Sequence, residues 1–294
     1  GEVINYDIKI SSFFRQGETH LFRFEFIATV GGEPLLTMKD GCAGFFSAGE
    51  LASGKGVVPR PLDAAPRPGK RPEDWRELAP TSPCTLDQSQ VDALRRGDLG
   101  AAFGSEFAHL PLANPLTLPG GRMTLVHRVE TIEPEGGRFG LGLIRAEADV
   151  HPDDWFIVCH FVDDRVMPGT LMYECCLHTF RIFLTRLGWV GAADRVRFEP
   201  LPGVPNRLRC RGQVTESTRI VTYEVTIKEL GYDPEPFAIA DALMYADGKP
   251  IVEFSDMGIR LTGTDREEIE ALWDRARPAS SPTGDSPLVY NEAQ

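Results

Sequence analysis

Three residues in one short run, Trp155 to Glu174 (WFIVCHFVDDRVMPGTLMYE), are of the types and in the order that proton transfer beside a carbonyl requires. His160 is the first, because histidine is the side chain whose unperturbed pKa suits a general base near neutral pH. Gly169 follows Pro168, and a proline at the first turn before an apolar run marks a helix start. The exposed amides of such a start can polarise a carbonyl oxygen. The helix is expected to run to about Leu187 and to stop at Gly188. Leu171, Met172, Cys175, Cys176, Leu177, Phe180, Ile182, Phe183, Leu184 and Leu187 cover nearly its whole circumference, which marks a buried helix. Glu174 is therefore expected in an apolar setting. An ionised carboxylate is costly there, and a retained proton would make it a general acid.

Residues four and seven apart share a helix face, so Glu174, His178 and Arg181 form a polar stripe on this helix. His178 reads as a residue that packs against Glu174 or orients it, and Arg181 as a second orienting group. Without further context, a buried Glu near a His is an ordinary structural pair and Gly169 an ordinary helix start. Cys159, His160 and His151 lack the spacing of a zinc set, so no metal site is expected.

The run resembles the active-site segment of β-hydroxyacyl-carrier-protein dehydratases of the hot-dog superfamily, in the pattern W-F-x-x-x-H-F-x-x-D-x-V-M-P-G-x-L-x-x-[DE]. Trp155, Phe156, His160, Phe161, Asp164, Val166, Met167, Pro168, Gly169, Leu171 and Glu174 meet it. The nearest resemblance is to the dehydratase domains of polyketide-like polyunsaturated fatty acid synthases. It implies that His160 is the catalytic base, Glu174 its acidic partner, and Gly169 the residue whose amide binds the thioester carbonyl. The chain departs from the pattern at Arg165, where relatives have proline, and at His178, where they have glutamine. A cation beside Glu174 would weaken it as an acid.

The resemblance further implies removal of water from a 3-hydroxyacyl thioester to give the trans-2-enoyl product, with isomerisation as a possible further step. No cofactor is expected, since the substrate is carried on phosphopantetheine and the thioester itself acidifies the C2 proton. In relatives the histidine and the acid of one site come from two facing hot-dog units, so a hot-dog dimer or pseudo-dimer is implied. The second unit would come from another copy of the chain or from sequence upstream of Gly1. Two other readings stand beside this one, a hot-dog acyl thioesterase and a non-catalytic hot-dog module that pairs neighbouring domains.

The charge balance is 31 basic against 43 acidic residues, a net charge of −12, which argues against nucleic acid as a partner. No apolar run approaches the roughly 18 residues that span a bilayer, and no signal-peptide pattern opens the chain, so no membrane partner and a cytoplasmic location are expected. The six cysteines lack C-x-x-C spacing and read as reduced core residues. The expected partners are an acyl carrier protein and neighbouring synthase domains. Arg207, Arg209 and Arg211 alternate along a strand, project from one face, and with Arg195 and Arg197 form a candidate docking patch for the carrier.

These residues need a scaffold. Alternation predicts strands over Asn5 to Phe13 and Leu21 to Ile27, then a turn at Gly31 and Gly32 and a strand through Phe46. Val221 to Lys228 and a strand through Met244 precede a similar turn at Asp247 and Gly248. Gly32, Pro34 and Asp40 match Gly248, Pro250 and Asp256 at one offset, 216 (248 − 32). A fainter echo relates Ser82–Gln90 to Ser286–Gln294 at 204 (286 − 82).

The expected fold class is α+β: a hot-dog fold, an antiparallel sheet wrapped around a central buried helix, with a partial second hot-dog unit. The expected organisation is the sheet half of a first unit over 1–51, a Pro-rich linker over 52–84 and a lead-in helix and loop over 85–118. A complete catalytic unit over 119–263 and a surface helix with a C-terminal linker over 264–294 would follow. Within these, a helix is expected over Leu86–Arg96 and strands over Arg122–Val129 and Arg138–Val150.

Overall fold

The structure, a computed structural model, describes residues 1–58 and 65–277. It divides into two compact units, Gly1–Lys55 and the chain from Gly56 onward. The first unit is an antiparallel meander of β1 (Ile4–Gln16), β2 (Thr19–Val30) and β3 (Glu33–Phe45), followed by the short helix α1 (Ala48–Ser53). The β2–β3 turn uses Gly31 and Gly32 at φ +59° and +91°, values that glycine adopts without steric cost.

The second unit opens with β4 (Cys84–Leu86), α2 (Gln88–Arg95), α3 (Leu99–Phe103) and α4 (Ser105–Ala108). The strands β5 (Arg128–Glu133) and β6 (Leu143–Asp149) follow, then α5 (Trp155–Cys159) and the long helix α6 (Gly169–Arg186). The strands β7 (Arg197–Pro200), β8 (Arg207–Cys210), β9 (Ile220–Gly231), β10 (Phe237–Ala246) and β11 (Lys249–Thr262) lead to the final helix α7 (Arg266–Ala276). All eight strands lie in one antiparallel sheet of order β4-β5-β6-β9-β10-β11-β7, with β8 also paired to β11.

α6 packs on β6, β9 and β10, and its Cys175, Cys176, Phe180, Phe183 and Leu184 are fully buried. From the sheet, Tyr223, Val225 and Ile227 of β9 and Ala238 and Ala240 of β10 are buried as completely. A sheet curled on one buried helix is the hot-dog arrangement expected from sequence. Burying so many large apolar side chains, each worth about 1.5–3 kcal/mol, makes α6 the organiser of the unit.

The two units share a plan down to their irregularities. Pairing of β2 with β3 runs Val30↔Glu33, Ala28↔Leu36, Phe26↔Met38, Phe24↔Gly41, and β10 with β11 runs Ala246↔Lys249, Met244↔Val252, Ala242↔Phe254, Ala240↔Met257. Adding the same offset to each partner converts one ladder into the other. Both bulges put an aspartate in the left-handed region, Asp40 at φ +56° and Asp256 at +61°. A second bulge also coincides, skipping Ser11 between β1 and β2 and Lys228 between β9 and β10. The first unit is thus a partial second hot-dog unit without the long helix.

Several expectations shift. The strand expected from Arg122 begins only at Arg128, after a 3₁₀ turn over Gly121–Met123; Leu125 and Val126 are buried outside any ladder, and burial alone imitates a strand pattern. The strand expected from Arg138 begins at Leu143, because Gly137, Gly140 and Gly142 take positive φ and break the extended path. A Cβ on Gly142 would run into the Phe183 ring.

The described part of the proline-rich stretch is irregular but docked. Lys70 N–H donates to the Lys228 carbonyl, Trp75 stacks on Tyr232, and Arg76 pairs with Asp274 of α7. α7 itself buries Ile269 and Trp273. Cys175 and Cys176 are core residues as expected, but Cys42, Cys159 and Cys210 are exposed; all six are free thiols. The Ser286–Gln294 half of the fainter echo lies outside the described residues.

Candidate active site

His160 follows directly on α5, with extended backbone at φ −139°, ψ 94°. Residues 160–166 form a closed loop in which Val166 engages His160 twice. Val166 N–H donates to the His160 carbonyl at 2.8 Å, and the His160 Nδ1 lies 2.9 Å from the Val166 carbonyl. A carbonyl can only accept, so Nδ1 carries the ring proton and Nε2 presents its lone pair. The Phe161 ring lies on the imidazole with centroids 3.8 Å apart. Trp155, Val158, Phe161 and Val162 are all exposed around it. Arg165, the first departure from the family pattern, extends to Glu216 at 3.3 Å.

The next segment positions Gly169. Met167 N–H donates to the Val214 carbonyl, Pro168 is the residue before the helix, and no side chain caps the start of α6. A Cβ built on Gly169 would meet nothing within 4 Å, so the Cα of Gly169 is open on its side-chain side. The orphan N–H groups of a helix start, with the positive end of its dipole, suit an accumulating negative charge on oxygen.

Glu174 corrects the sequence reading. Its side chain is 37% exposed, whereas the burial expected from its apolar neighbours is found one turn on at His178, which is 1% exposed. Periodicity identifies which residues share a helix face but not where the covering layer ends. His178 Nε2 lies 3.6 Å from Glu174 Oε2, and both ring nitrogens are buried without a hydrogen bond. Burial, reinforced by the nearby Arg181 and Arg95 guanidinium groups, lowers the His178 pKa to about 3. His178 is therefore neutral near pH 7 and is not the cation beside Glu174. Arg181 is the cation of the stripe, its pKa lowered by burial and opposed by the Glu174 carboxylate. Burial foremost, with the Glu174 charge second, also raises Tyr173 to about 12.

The structure thus brings together Glu174, His178 and Arg181, and separately His160 with Val166. Among the described residues no hydrogen bond or ion pair joins His160 to Glu174. The Val166 carbonyl and Arg95 are contributors the sequence reading missed. A main-chain acceptor leaves no trace in residue type, and Arg95 lies on α2, far from the run in sequence.

The arginine patch is smaller than expected. Arg207 and Arg209 lie in β8, but Arg209 is paired with Glu253 at 2.6 Å, and Arg211 falls past the strand end and donates to the Cys210 carbonyl. Arg195 is paired with Glu268. Arg197 and Arg207 carry no ion pair among the described residues. No group of three or more His, Cys, Asp or Glu residues able to hold a metal occurs among them either, and no helix is long and apolar enough to cross a membrane.

Residues 118–255 match the FabA-like domain family. The run from Trp155 to Glu174 falls inside the matched residues. Over 249 residues, 82% of the chain, it is 37% identical to a subunit of the polyunsaturated fatty acid synthase of Thraustochytrium sp.. It spans 16% of the length of that protein.

Among solved structures, a hypothetical thioesterase with coenzyme A from Streptococcus pneumoniae is 10% identical over 42% of this chain and 81% of its own, with a TM-score of 0.31. The E. coli PaaI protein from the phenylacetic acid degradation operon is likewise 10% identical, over 42% and 75%, with a TM-score of 0.30. Both likenesses are too slight to carry weight.

Proposed function

We propose that this chain is the dehydratase region of a fatty acid or polyketide synthase, removing water from a 3-hydroxyacyl group held as a phosphopantetheine thioester on a carrier protein. The observation that carries this reading is the His160–Val166 pair, which fixes the imidazole with Nε2 as the accessible base. His160 Nε2 takes the C2 proton while the uncapped amides at Gly169 receive the charge that moves onto the thioester oxygen. Glu174, covered by the facing unit of the paired site so that it retains a proton, gives it to the C3 hydroxyl, which leaves as water, and the trans-2-enoyl thioester remains. Positioned proton transfer of this kind contributes about 10²- to 10⁴-fold. The family match, the synthase relative and the order of His160, Gly169 and Glu174 support the assignment.

The exposure of Glu174 and the absence of a bond to His160 support a composite site. In it, His160 of one unit faces Glu174 of another across a pairing of two copies. The exposed apolar side chains around His160 supply a surface for that pairing. Arg197 and Arg207, exposed and free of ion pairs, are the residues of the basic patch left to meet an acidic carrier.

The test is an assay of the purified chain on 3-hydroxyacyl-pantetheine, following absorbance of the conjugated enoyl thioester and the product mass. Enoyl-pantetheine is the expected product. A free acid would mean a thioesterase, and an unchanged substrate at all protein concentrations would mean a pairing module.

A further inference from the structure

A pantetheine arm offers two secondary amides between its phosphate and its sulfur, whereas His160, Gly169 and Glu174 address only its thioester end. A neutral pair beside Gly169 has the complementary chemistry. Tyr173 stands one turn into α6 from Gly169, and long side chains on a helix lean back over the preceding turn. Its ring meets Phe254 edge-on at 5.3 Å, and its hydroxyl oxygen accepts a hydrogen bond from Asn206 Nδ2 at 3.3 Å. Asn206 leads directly into β8. Residues two apart along a strand share a face, so Asn206 and Leu208 look toward α6 while Arg207 looks away. Leu208 lies opposite Phe254 in the β8–β11 ladder and is 46% exposed. Among the described strands β8 pairs with β11 alone, so its other edge is open.

The pair leaves two hydrogen-bonding groups unspent. Because the Asn206 amide donates to the Tyr173 oxygen, the phenolic O–H is free to donate and Asn206 Oδ1 is free to accept. Among the described residues neither has another partner. Burial foremost, then the Glu174 charge, raises the Tyr173 pKa to about 12, so the donor keeps its proton. A donor and an acceptor side by side complement one secondary amide, whose C=O meets the phenol and whose N–H meets the Asn206 oxygen. The loop is held without this bond, since Pro202 and Pro205 restrict its backbone and Leu201 N–H donates to the Gly258 carbonyl at 3.1 Å.

We propose that Tyr173 and Asn206 bind one secondary amide of the pantetheine arm as it crosses the open edge of β8, from the carrier at Arg207 to the amides at Gly169. The chain then reads the arm as well as the acyl group. The identity of the ligand rests on the dehydratase reading, while the amide chemistry of the pair rests on its own geometry. Leu208 and the Phe254 side of the Tyr173 ring supply apolar surface for the methylenes between the amides.

NMR titration of the full chain with S-ethylpantetheine, a thioether that cannot react, and with its bis-N-methyl analogue, whose amides lack N–H, tests the pair without turnover. The unaltered chain should bind S-ethylpantetheine about two- to tenfold more tightly than the analogue, the range of one net hydrogen bond. Asn206→Ala, which removes the acceptor, should abolish that preference. Tyr173→Phe keeps the ring on Phe254, removes the donor, and should weaken S-ethylpantetheine binding by a similar factor. Equal affinities in the unaltered chain, a preference that survives Asn206→Ala, or no binding of either ligand would each overturn the proposal. Enoyl formation from 3-hydroxybutyryl-pantetheine is followed separately. A chain with the preference but no enoyl product keeps the arm site and loses the dehydratase reading, and one that forms enoyl product without the preference does the reverse.

Discussion

Tyr6 and Tyr223 stand at matching places in matching ladders, yet one is half exposed and the other sealed from solvent. The local rules that shape a meander, with alternating apolar side chains, glycine at the turn and aspartate at the bulge, are satisfied equally in both sheets. The difference comes from the layer above. Pairing, twist and bulges are written within the sheet, whereas core status is conferred by α6. A sheet can therefore be complete in its hydrogen bonding and remain half a structure in its packing.

The contrast is sharpest in activity. Chemistry is assigned to the unit that holds α6, so His160→Ala should lower the dehydration rate by about 10²- to 10⁴-fold. Glu25→Gln in β2 should leave the rate unchanged. A variant of His160 retaining more than a tenth of the activity would remove it as the base.

Mixing tests whether the bare sheet contributes to catalysis. If two copies pair through their α6-bearing units, combining inactive His160→Ala and Glu174→Gln chains gives mixed pairs with one intact site in two. Activity should then recover to roughly a quarter of the unaltered level, by the statistics of a two-fold pair. Absence of recovery, once exchange between copies is demonstrated, would place the missing acid outside this chain or within one unit.

Packing supplies a third comparison. Phe254→Ala empties a sealed site and should cost about 3–5 kcal/mol. Met38→Ala, its counterpart, should cost less than about 1 kcal/mol. Denaturant unfolding combined with hydrogen exchange reads both. A large loss at Met38 would mean that the first sheet is covered in solution.

Acid should separate the units as well. His178 on α6 has its pKa lowered to about 3 by burial and by Arg181 and Arg95, while in the unfolded chain it takes up a proton near pH 6.5. The unfolded state therefore binds more protons between these values. Stability from this group is whole above about pH 6.5 and declines as pH falls toward 3, by up to about 1.4 kcal/mol per unit. The loss should loosen β9–β11 and leave β1–β3 unaffected in hydrogen exchange. His178→Leu should flatten the slope, and an unchanged slope would assign the acid sensitivity elsewhere.

The smallest effect concerns the two bulge aspartates. Asp40→Gly relieves a left-handed residue and should gain up to about 1 kcal/mol. Asp256→Gly should gain less, because Asp256 also pairs with Lys228. Equal gains in thermal unfolding would show that the ion pair contributes nothing.

Much of this fold was legible because the signals are local. Gly31–Gly32 and Asp247–Gly248 mark their hairpins, Pro168–Gly169 marks the start of α6, and Gly188 its end at φ +103°. The ladder correspondence could be read from Gly32, Pro34 and Asp40 against their partners. The missed features depend on distant chain. α3 and α4 are too short for a periodic signal, and Asp98 alone caps α3. The exposure of Glu174 and the burial of His178 are fixed by where other elements end along α6, and the shrinking of the arginine patch by Glu253 and Glu268 across the sheet and on α7. Composition of the run at 155–174 carried the residue types of the site but not their accessibility.

Val166 serves His160 through its amide and its carbonyl alone. Replacing its side chain tests nothing about that service, so a survey of single substitutions would pass over the residue that orients the base. The path of the main chain holds the orientation, which persists as long as the loop keeps its length. A one-residue insertion or deletion between His160 and Val166 would be more damaging than most replacements within it, and the protected quantity here is a count of residues.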